Sequence, residues 1–232
     1  VSVMQVNNET GVIQPIEEIA EILGSHQAFF HVDAAQGFGR EIAPLQNARI
    51  DMISISGHKV FAPKGVGALI VRRRGFKRLP LEAIMFGGGH ERGLRPGTLP
   101  VHLIAGLGVA SEIALTDNEV RKMACLKIRQ KALEALKPLR PVINGDPERM
   151  MPHVLNVSFP GVDSEAAIVA LKDLVALSNG SACTSQSYEP SHVLKAMGLD
   201  EATIQGALRI SWCHMTEGVG FDPIANVLKN LM

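Results

Sequence analysis

The first half of the chain alternates short apolar segments with helical ones, and this pattern constrains the fold more than any other feature. Residues 1–6, 28–32, 52–56 and 66–71 are short β-rich runs typical of buried strands. Between the first two, Pro15 opens the amphipathic run IEEIAEIL, and proline is favoured in the first turn of a helix. Apolar strands separated by helices predict an α/β fold, with a mostly parallel sheet and helices on both faces.

The second half has a different pattern. Residues 87–97, GGGHERGLRPG, are rich in glycine and predict a shaped loop, and residues 101–137 are helical in pattern. The remainder predicts strands at 154–159, 174–177 and 207–211 and helices at 164–171 and 190–197, followed by a final helix. We therefore expect a large α/β domain over residues 1–112 and a small C-terminal α+β domain over residues 113–232.

Composition removes several classes of function. Lys plus Arg and Asp plus Glu both total 23, so no net field attracts nucleic acid or an anionic membrane. Three cysteines without CxxC spacing argue against a disulfide framework or a structural zinc site, and indicate a reducing, cytoplasmic location. The sequence has no long apolar run that could cross a bilayer and no signal peptide. Val1 opens directly on a strand pattern, from which we expect the chain to be the later part of a longer polypeptide.

Polar clusters follow the first three predicted strands, where ligands collect in parallel sheets. In SISGHKV, Lys59 is either a desolvated, reactive amine or a solvated lysine at a strand end, and Ser56 and His58 could hold a phosphate beside it. In HVDAAQ, Asp33 could hold the ring nitrogen of a cofactor protonated, or could cap the next helix.

Three further residues complete the set from residue types alone. Gln36 could reach a ring substituent, and Asn8, in VNNETG, could lie at the same sheet edge as Asp33 and Lys59 or could simply form a turn. In ALRIS, Arg209 either binds a substrate carboxylate in a bidentate manner or forms a structural ion pair.

Cys183 lies in SNGSACTS, a run of small and polar residues, so the sequence predicts an exposed, mobile thiol. It is either a nucleophile that reaches a distant substrate or an idle surface thiol. Cys125, in an amphipathic helix, and Cys213, beside Trp212, are interpreted as structural.

Together these segments resemble the cysteine desulfurases, the sulfur-mobilising branch of the fold-type I pyridoxal-phosphate enzymes. The matching motifs are VNNETG, HVDAAQ, SGHK with PKG, GGGHERGLRPGTLPVH, LNVSF and SNGSACTS with YEPSHVL. They follow the family order over almost the whole chain. The short form of the cysteine segment is similar to the iron–sulfur-assembly type, and SNGSACTSQSYEPSHVL is also similar to relatives that supply sulfur for DNA phosphorothioation.

The resemblance implies a role for each matching residue. Lys59 would carry pyridoxal 5'-phosphate through its amine and move a proton at the substrate α-carbon. Asp33 would pair with the ring nitrogen and Gln36 with the ring oxygen, while Ser56 and His58 would hold the phosphate. Asn8 and Arg209 would orient the carboxylate of L-cysteine, and Cys183 would take its sulfur as a persulfide for an acceptor protein. The enzyme would be a homodimer, in which Thr98 reaches the phosphate from the neighbouring subunit. Arg92 and Arg95 would serve subunit contacts.

Two departures from the family pattern stand out. Small residues and a second arginine usually follow the carboxylate-binding arginine, but here the run contains Trp212, Cys213 and His214, which we expect to change the pocket wall. Family members also carry a further N-terminal stretch of about 100–150 residues, with a phosphate-binding turn and a histidine that stacks on the cofactor. Neither motif occurs here, so we expect a separate N-terminal segment to complete the site.

Two other functions stay open at this point. One is a selenocysteine lyase or related β-lyase, which would use the same cofactor; the other is a non-catalytic scaffold for sulfur-acceptor proteins. The presence of Lys59, Asp33 and Cys183 together argues against a scaffold, which needs none of them.

Overall fold

The structure is a computed structural model that describes residues 1–75, 79–180 and 190–232. The chain divides into two compact units. Unit 1 comprises Val1–Val6 and Gln14–Asn118, and unit 2 comprises Asn7–Ile13 and Glu119–Met232. The short segment Asn7–Ile13 therefore belongs with the second half of the chain, although it lies between β1 and α1 of the first. The functional roles predicted for residues 1–112 and 113–232 stay predictions.

Unit 1 is built on a four-stranded sheet in the order β1-β2-β3-β4. The strands are β1 (Ser2–Met4), β2 (His31–Asp33), β3 (Met52–Ser56) and β4 (Gly67–Val71). β1, β2 and β3 run parallel, and β4 pairs antiparallel with β3. The prediction of an α/β fold with a mostly parallel sheet is confirmed.

Helices α1 (Ile16–Ile22) and α2 (Val101–Thr116) supply the helical part of unit 1. Ile16 and Ala20, four residues apart on one face of α1, are buried in a cluster that contains Val32 of β2 and Ile53 of β3. On α2, Leu107 packs in a second cluster around Val60. The glycine-rich residues 87–97 form a loop with a single short turn at Glu91–Gly93, as predicted.

Unit 2 combines a three-stranded antiparallel sheet with five helices among its described residues. The strands are β5 (Val142–Ile143), β6 (Val154–Ser158) and β7 (Ala207–Ser211), in that order across the sheet. The helices are α3 (Asn118–Leu136), α4 (Ser164–Leu171), α5 (His192–Ala196), α6 (Glu201–Gln205) and α7 (Phe221–Lys229).

The core of unit 2 lies between this sheet and its helices. Every residue of β6 is buried. Leu171 of α4 and Leu228 of α7 are fully buried in the same cluster. Asp163 begins α4, because its carboxylate accepts hydrogen bonds from the N–H groups of Glu165 and Ala166.

The strand predicted at residues 174–177 is wrong. The N–H groups of Leu174 and Val175 both donate to the carbonyl of Leu171, so the end of α4 continues into a turn. Only an isolated bridge, between Ser178 and Arg209, follows it. Because Val175 and Leu177 pack against the core, their apolar pattern resembles that of a strand. Among the described residues, no helix is both long enough and apolar enough to cross a membrane.

Candidate active site

Lys59 lies in a tight turn at the carboxyl end of β3. The strand ends at Ser56, and Gly57–Val60 form one turn of 3-10 helix. Ser56 Oγ lies 3.0 Å from Nδ1 of His58, so the hydroxyl and the imidazole form a hydrogen-bonded pair next to Lys59. His58 is exposed and Lys59 is half-buried, so both side chains are accessible. The structure thus brings together three of the predicted cofactor residues.

Glycine at position 57 makes this turn possible. A Cβ atom there would lie 2.7 Å from the carbonyl oxygen of Val66, closer than Cβ atoms approach in proteins. The N–H of Gly57 donates to that same oxygen over 2.9 Å, so the turn rests against the chain that leads into β4. Phe61 closes the turn in a left-handed conformation, with φ of 69°.

Asp33 ends the neighbouring strand β2. Its Cα is in register with Ser54 of β3, and its side chain is exposed. Oδ1 of Asp33 accepts a hydrogen bond from the N–H of Ala35 over 2.9 Å, so the carboxylate shapes the turn that follows the strand. Asp33 therefore does not cap a helix, because residues 35–40 form a turn. This contact is compatible with cofactor binding, because an ionised carboxylate has two acceptor oxygens. Gln36 is half-buried in that turn, and its carbonyl accepts from Arg40.

The side chain of His31 makes hydrogen bonds to the two neighbouring strands that the sequence did not indicate. Its Nδ1 lies 2.7 Å from Ser2 Oγ, and its Nε2 lies 3.1 Å from Ser54 Oγ, so one imidazole connects β1, β2 and β3. Because side chains alternate along a strand, His31 lies on the same face of β2 as Asp33. Only the register between strands places two serines beside His31; nothing in HVDAAQ itself shows it.

Asn8 and Arg209 come together in unit 2. Nη1 of Arg209 donates to the main-chain carbonyl of Asn8 over 3.0 Å. The main chain of Arg209 also pairs with Ser178, its N–H donating to the carbonyl of Ser178 over 2.6 Å. Asn8 lies in a turn, as the simpler interpretation expected, and Asn7 shapes it: Asn7 Oδ1 accepts from the N–H of Glu9 over 2.9 Å.

Glu9 and Ser191 are a second pair that sequence reasoning missed. Glu9 is only 1% exposed, and one of its carboxylate oxygens accepts a hydrogen bond from Ser191 Oγ over 2.5 Å. Nδ2 of Asn156 donates to the main-chain carbonyl of Glu9. Nothing in the motif VNNETG indicates this contact, because acidic residues are rarely buried and Glu9 would be expected at the surface.

Cys183 lies outside the described residues, so its predicted exposure and mobility stay predictions. Thr98 is exposed in the segment before α2, and Arg92 and Arg95 are exposed in the glycine-rich loop.

Trp212 and Cys213 lie in the part of unit 2 that follows β7. The ring of Trp212 is buried in the core of unit 2, packs edge-to-face on Phe221, and donates through Nε1 to the carbonyl of Cys125. Trp212 is therefore a core residue of unit 2, and the expected effect of the run on the pocket wall stays a prediction. Cys125 is buried in the same core, which agrees with a structural role. Cys213 is partly buried, and its sulfur accepts from Thr216 Oγ1.

A charged cluster lies at the opposite end of β3 from Lys59. Asp51, which is 3% exposed, pairs with Arg49 over 2.9 Å and with Arg74 over 2.6 Å. Burial alone would raise the pKa of Asp51. Hydrogen bonds from Arg74 and from the N–H of Phe30, together with the charge of Arg74, have a larger effect, so the pKa lies below its usual value. This cluster fixes the start of β3 while the polar turn occupies its end.

The fold and this site define an α/β protein of fold type I. Lys59, in the turn Gly57–Val60 (the lysine turn), and Asp33 lie at the carboxyl ends of adjacent parallel strands. The chain belongs to the aminotransferase class-V family, which it matches over residues 1–219. It is 49% identical to the cysteine desulfurase IscS of Vibrio vulnificus over 217 residues, which are 93% of this chain and 53% of that protein. The chain thus spans about half the length of the curated relatives it matches.

Solved structures give the same result. The structure of DndA from Streptomyces lividans has 50% sequence identity and a TM-score of 0.79, covering 92% of this chain and 60% of that one. A structure described as SspA in complex with cysteine has 37% identity and a TM-score of 0.71, covering 90% of this chain and 57% of that one. The predicted resemblance to cysteine desulfurases is confirmed.

The family is pyridoxal-phosphate-dependent, which is the cofactor that the sequence predicted. The donor set of unit 1 fits this group. The pair formed by Ser56 and His58 offers hydrogen bonds to a phosphate, the amine of Lys59 suits an aldehyde, and the exposed carboxylate of Asp33 suits a ring nitrogen. Because Gly57 has no Cβ, the main chain can turn between Ser56 and His58.

Proposed function

We propose that this chain acts in a cysteine desulfurase, which converts L-cysteine to L-alanine and transfers the sulfur to Cys183 as a persulfide. The observation that carries the proposal is the turn at the end of β3, where Lys59 follows the hydrogen-bonded pair of Ser56 and His58. The relatives support it, because one is named a cysteine desulfurase and another is described in complex with cysteine.

The residues of unit 1 would hold the cofactor. Pyridoxal phosphate, when bound, withdraws electrons from the α-carbon of an amino acid. Ser56 and His58 would donate to its phosphate, Asp33 would keep its ring nitrogen protonated, and Gln36 would bind its ring oxygen. Lys59 would attach it through the amine and, once displaced by substrate, would move the proton at the α-carbon.

The residues of unit 2 would bind substrate and receive sulfur. Arg209 and Asn8 would orient the substrate carboxylate, which is consistent with the hydrogen bond between them. The thiolate of Cys183 would attack the sulfur of L-cysteine and form an S–S bond as the C–S bond breaks. The electron pair of the C–S bond stays on carbon, which is protonated to give alanine, so the reaction needs no external oxidant or reductant.

The assembly and the destination of the sulfur belong to the same proposal. We expect a homodimer in which Thr98 of one subunit reaches the phosphate site of the other, and a cytoplasmic acceptor protein that takes the persulfide sulfur. The relatives named IscS and DndA support iron–sulfur cluster assembly and DNA phosphorothioation as the two candidate pathways.

The cofactor assignment is tested in the full natural polypeptide. Added pyridoxal phosphate should produce an absorbance band at the edge of the visible range, and Lys59→Ala should abolish it because the attachment point is lost. Lys122→Ala, which removes an exposed lysine of α3, is the matched control and should keep the band. A wild-type protein without the band would contradict the proposal.

The sulfur assignment needs a second measurement. Cys183→Ser should leave the absorbance band in place and abolish the persulfide, measured by mass spectrometry after one turnover with L-cysteine. Loss of both signals would mean that the thiol is misassigned. Rates on L-selenocysteine and L-cysteine, compared in the same sample, separate a desulfurase from a selenocysteine lyase.

A further inference from the structure

The carboxylate of Glu9 lies near two residues, Gly180 and Ser191, that are adjacent in space. In the sequence they are separated by residues 181–190, called here the Cys183 segment. Ser191 Oγ donates to Glu9 Oε2 over 2.5 Å. On the other side, Gly180 is buried, and a Cβ added to it would lie 3.6 Å from the same oxygen and 3.8 Å from Cβ of Ser191. In the sequence, Cys183 lies between Gly180 and Ser191.

Glu9 is itself fixed from several directions. Its N–H donates to Asn7 Oδ1, and its carbonyl accepts from Nδ2 of Asn156, which is fully buried on β6. Asn156 Oδ1 in turn accepts from Nδ2 of Asn144, the residue after β5, over 2.8 Å. The carboxylate of Glu9 accepts from Ser191. A buried carboxylate costs several kcal/mol unless it is hydrogen-bonded, so loss of this contact is unfavourable. Glu9 is therefore a rigid point attached to the sheet of unit 2.

Ser191 connects that point to a helix. Its hydroxyl donates to Glu9 and also accepts from the N–H of Leu194, so Ser191 is the N-cap of α5. Gly180, at the other end of the Cys183 segment, is held by Ser178. Ser178 Oγ accepts from the N–H of Gly180, and the main chain of Ser178 pairs with Arg209 on β7. Both described ends of the segment are thus attached to elements that also contact residues Asn7–Ile13.

We propose that Glu9 is a positioning residue for sulfur transfer, because its carboxylate holds Ser191, the N-cap of α5 that follows the Cys183 segment, in place. This inference rests on the proposed function and deepens it. Glu9 touches neither substrate nor reacting atoms. It changes how often the thiolate of Cys183 reaches the sulfur of L-cysteine, while the bonds formed and broken stay those of the desulfurase reaction.

The test separates positioning from the chemistry at the α-carbon. Glu9→Met, which has a side chain of similar length but no acceptor oxygen, and Ser191→Ala are compared with wild type in the cofactor-loaded, full natural polypeptide. We expect persulfide formation on Cys183 in a single turnover to slow by about tenfold to a hundredfold, since a misplacement of about 1 Å can cost about a hundredfold. The absorbance band, the KM for L-cysteine and the exchange of the α-hydrogen of L-cysteine with heavy water should stay at wild-type values. Ser191→Thr, which keeps the hydroxyl and the cap, should restore the rate.

A matched control removes a helix cap that has no connection to Glu9. Asp200 caps α6, a helix of the same length as α5 in the same unit, by accepting from the N–H of Thr203. Asp200→Ala should form persulfide at the wild-type rate. An equal loss in Asp200→Ala, wild-type rates in Glu9→Met and Ser191→Ala, or a parallel loss of α-hydrogen exchange in them would each overturn the inference. A wild-type protein with neither absorbance band nor persulfide would instead overturn the proposed function.

Discussion

The lysine turn of unit 1 and the surroundings of Glu9 in unit 2 are built in different ways. Around Lys59, the polar contacts are local: Ser56 and His58 are 2 residues apart in the sequence. Around Glu9, the partners are distant, since Ser191 lies 182 residues away and Asn156 lies 147 residues away.

The difference follows from what each region needs. The lysine turn needs one strand end, one glycine and a neighbouring strand, all of which a short stretch of chain supplies. The Glu9 region has to join segment Asn7–Ile13 to β6, β7 and α5, which only the folded unit brings together. Local sequence motifs therefore identify the first region well and the second poorly. Substitutions that act on one region and not on the other test this contrast.

The largest expected effect is that of Asp51→Ala, which removes the buried carboxylate at the start of β3. Arg49 and Arg74 then lose their anionic partner, and the N–H of Phe30 loses its acceptor. Breaking a buried ion pair from one side costs about 3–5 kcal/mol, and we expect about 3 kcal/mol because Arg74 is partly exposed. Urea unfolding followed by circular dichroism measures this loss, and the absence of a shift would contradict a supporting role for the cluster.

The same substitution has a predictable dependence on pH. The pKa of Asp51 is lower in the folded protein than its unfolded value of 3.8, so its stabilising contribution is fully present above pH 3.8. That contribution is lost as the pH falls through the folded value. The difference in stability between wild type and Asp51→Ala should therefore be constant near neutral pH and should shrink in acid below pH 3.8. A difference that grows in acid would show that the sign is wrong.

Gly57→Ala should have the next largest effect and should act on the lysine turn itself. The added methyl group would lie 2.7 Å from the carbonyl oxygen of Val66, so the turn has to move. Overpacking of this kind costs about 1–3 kcal/mol, and we also expect weaker binding of pyridoxal phosphate, measured by titration of the absorbance band. Gly24→Ala is the control, since nothing lies within 4 Å of a Cβ at that position. Equal behaviour of the two variants would remove the requirement for glycine in the turn.

The smallest of the three effects on stability belongs to unit 2. Asn156→Ala leaves the carbonyl of Glu9 and Nδ2 of Asn144 each without one partner, at a cost of about 1–2 kcal/mol. Trp212 is the only tryptophan and lies in the core of unit 2, so its fluorescence follows the unfolding of that unit.

The comparison for this variant is Ser158→Ala. Ser158 Oγ contacts Asn144 and the carbonyl of Thr203 but not Glu9, so its loss should lower stability by a similar amount. Only Asn156→Ala should also slow persulfide formation on Cys183. Equal rates in the two variants would show that Asn156 supports the fold of unit 2 and not the position of Glu9.

Much of the fold could be predicted from the sequence. The predicted bounds of β3, β7 and α4 agree with the structure, because in these elements the apolar period and the flanking residues indicate the same structure. The strand predicted at 174–177 failed because Leu174 and Val175 use their N–H groups to extend the end of α4, while the neighbouring apolar side chains still face the core. Periodicity measures which side chains are buried, not which hydrogen bonds the main chain makes.

The sequence by itself determined the residue types and the local turns of the candidate site: a lysine after Ser-Gly-His, an aspartate at a strand end, and a cysteine among small residues. Only the tertiary structure decided that Asn7–Ile13 belongs to unit 2, that Trp212 lies in its core, and that Glu9 is buried against Ser191. The physical reason is the range of the interactions. A turn is fixed by the conformational limits of a few adjacent residues, whereas burial and long-range hydrogen bonds depend on which distant segments the folded chain brings into contact.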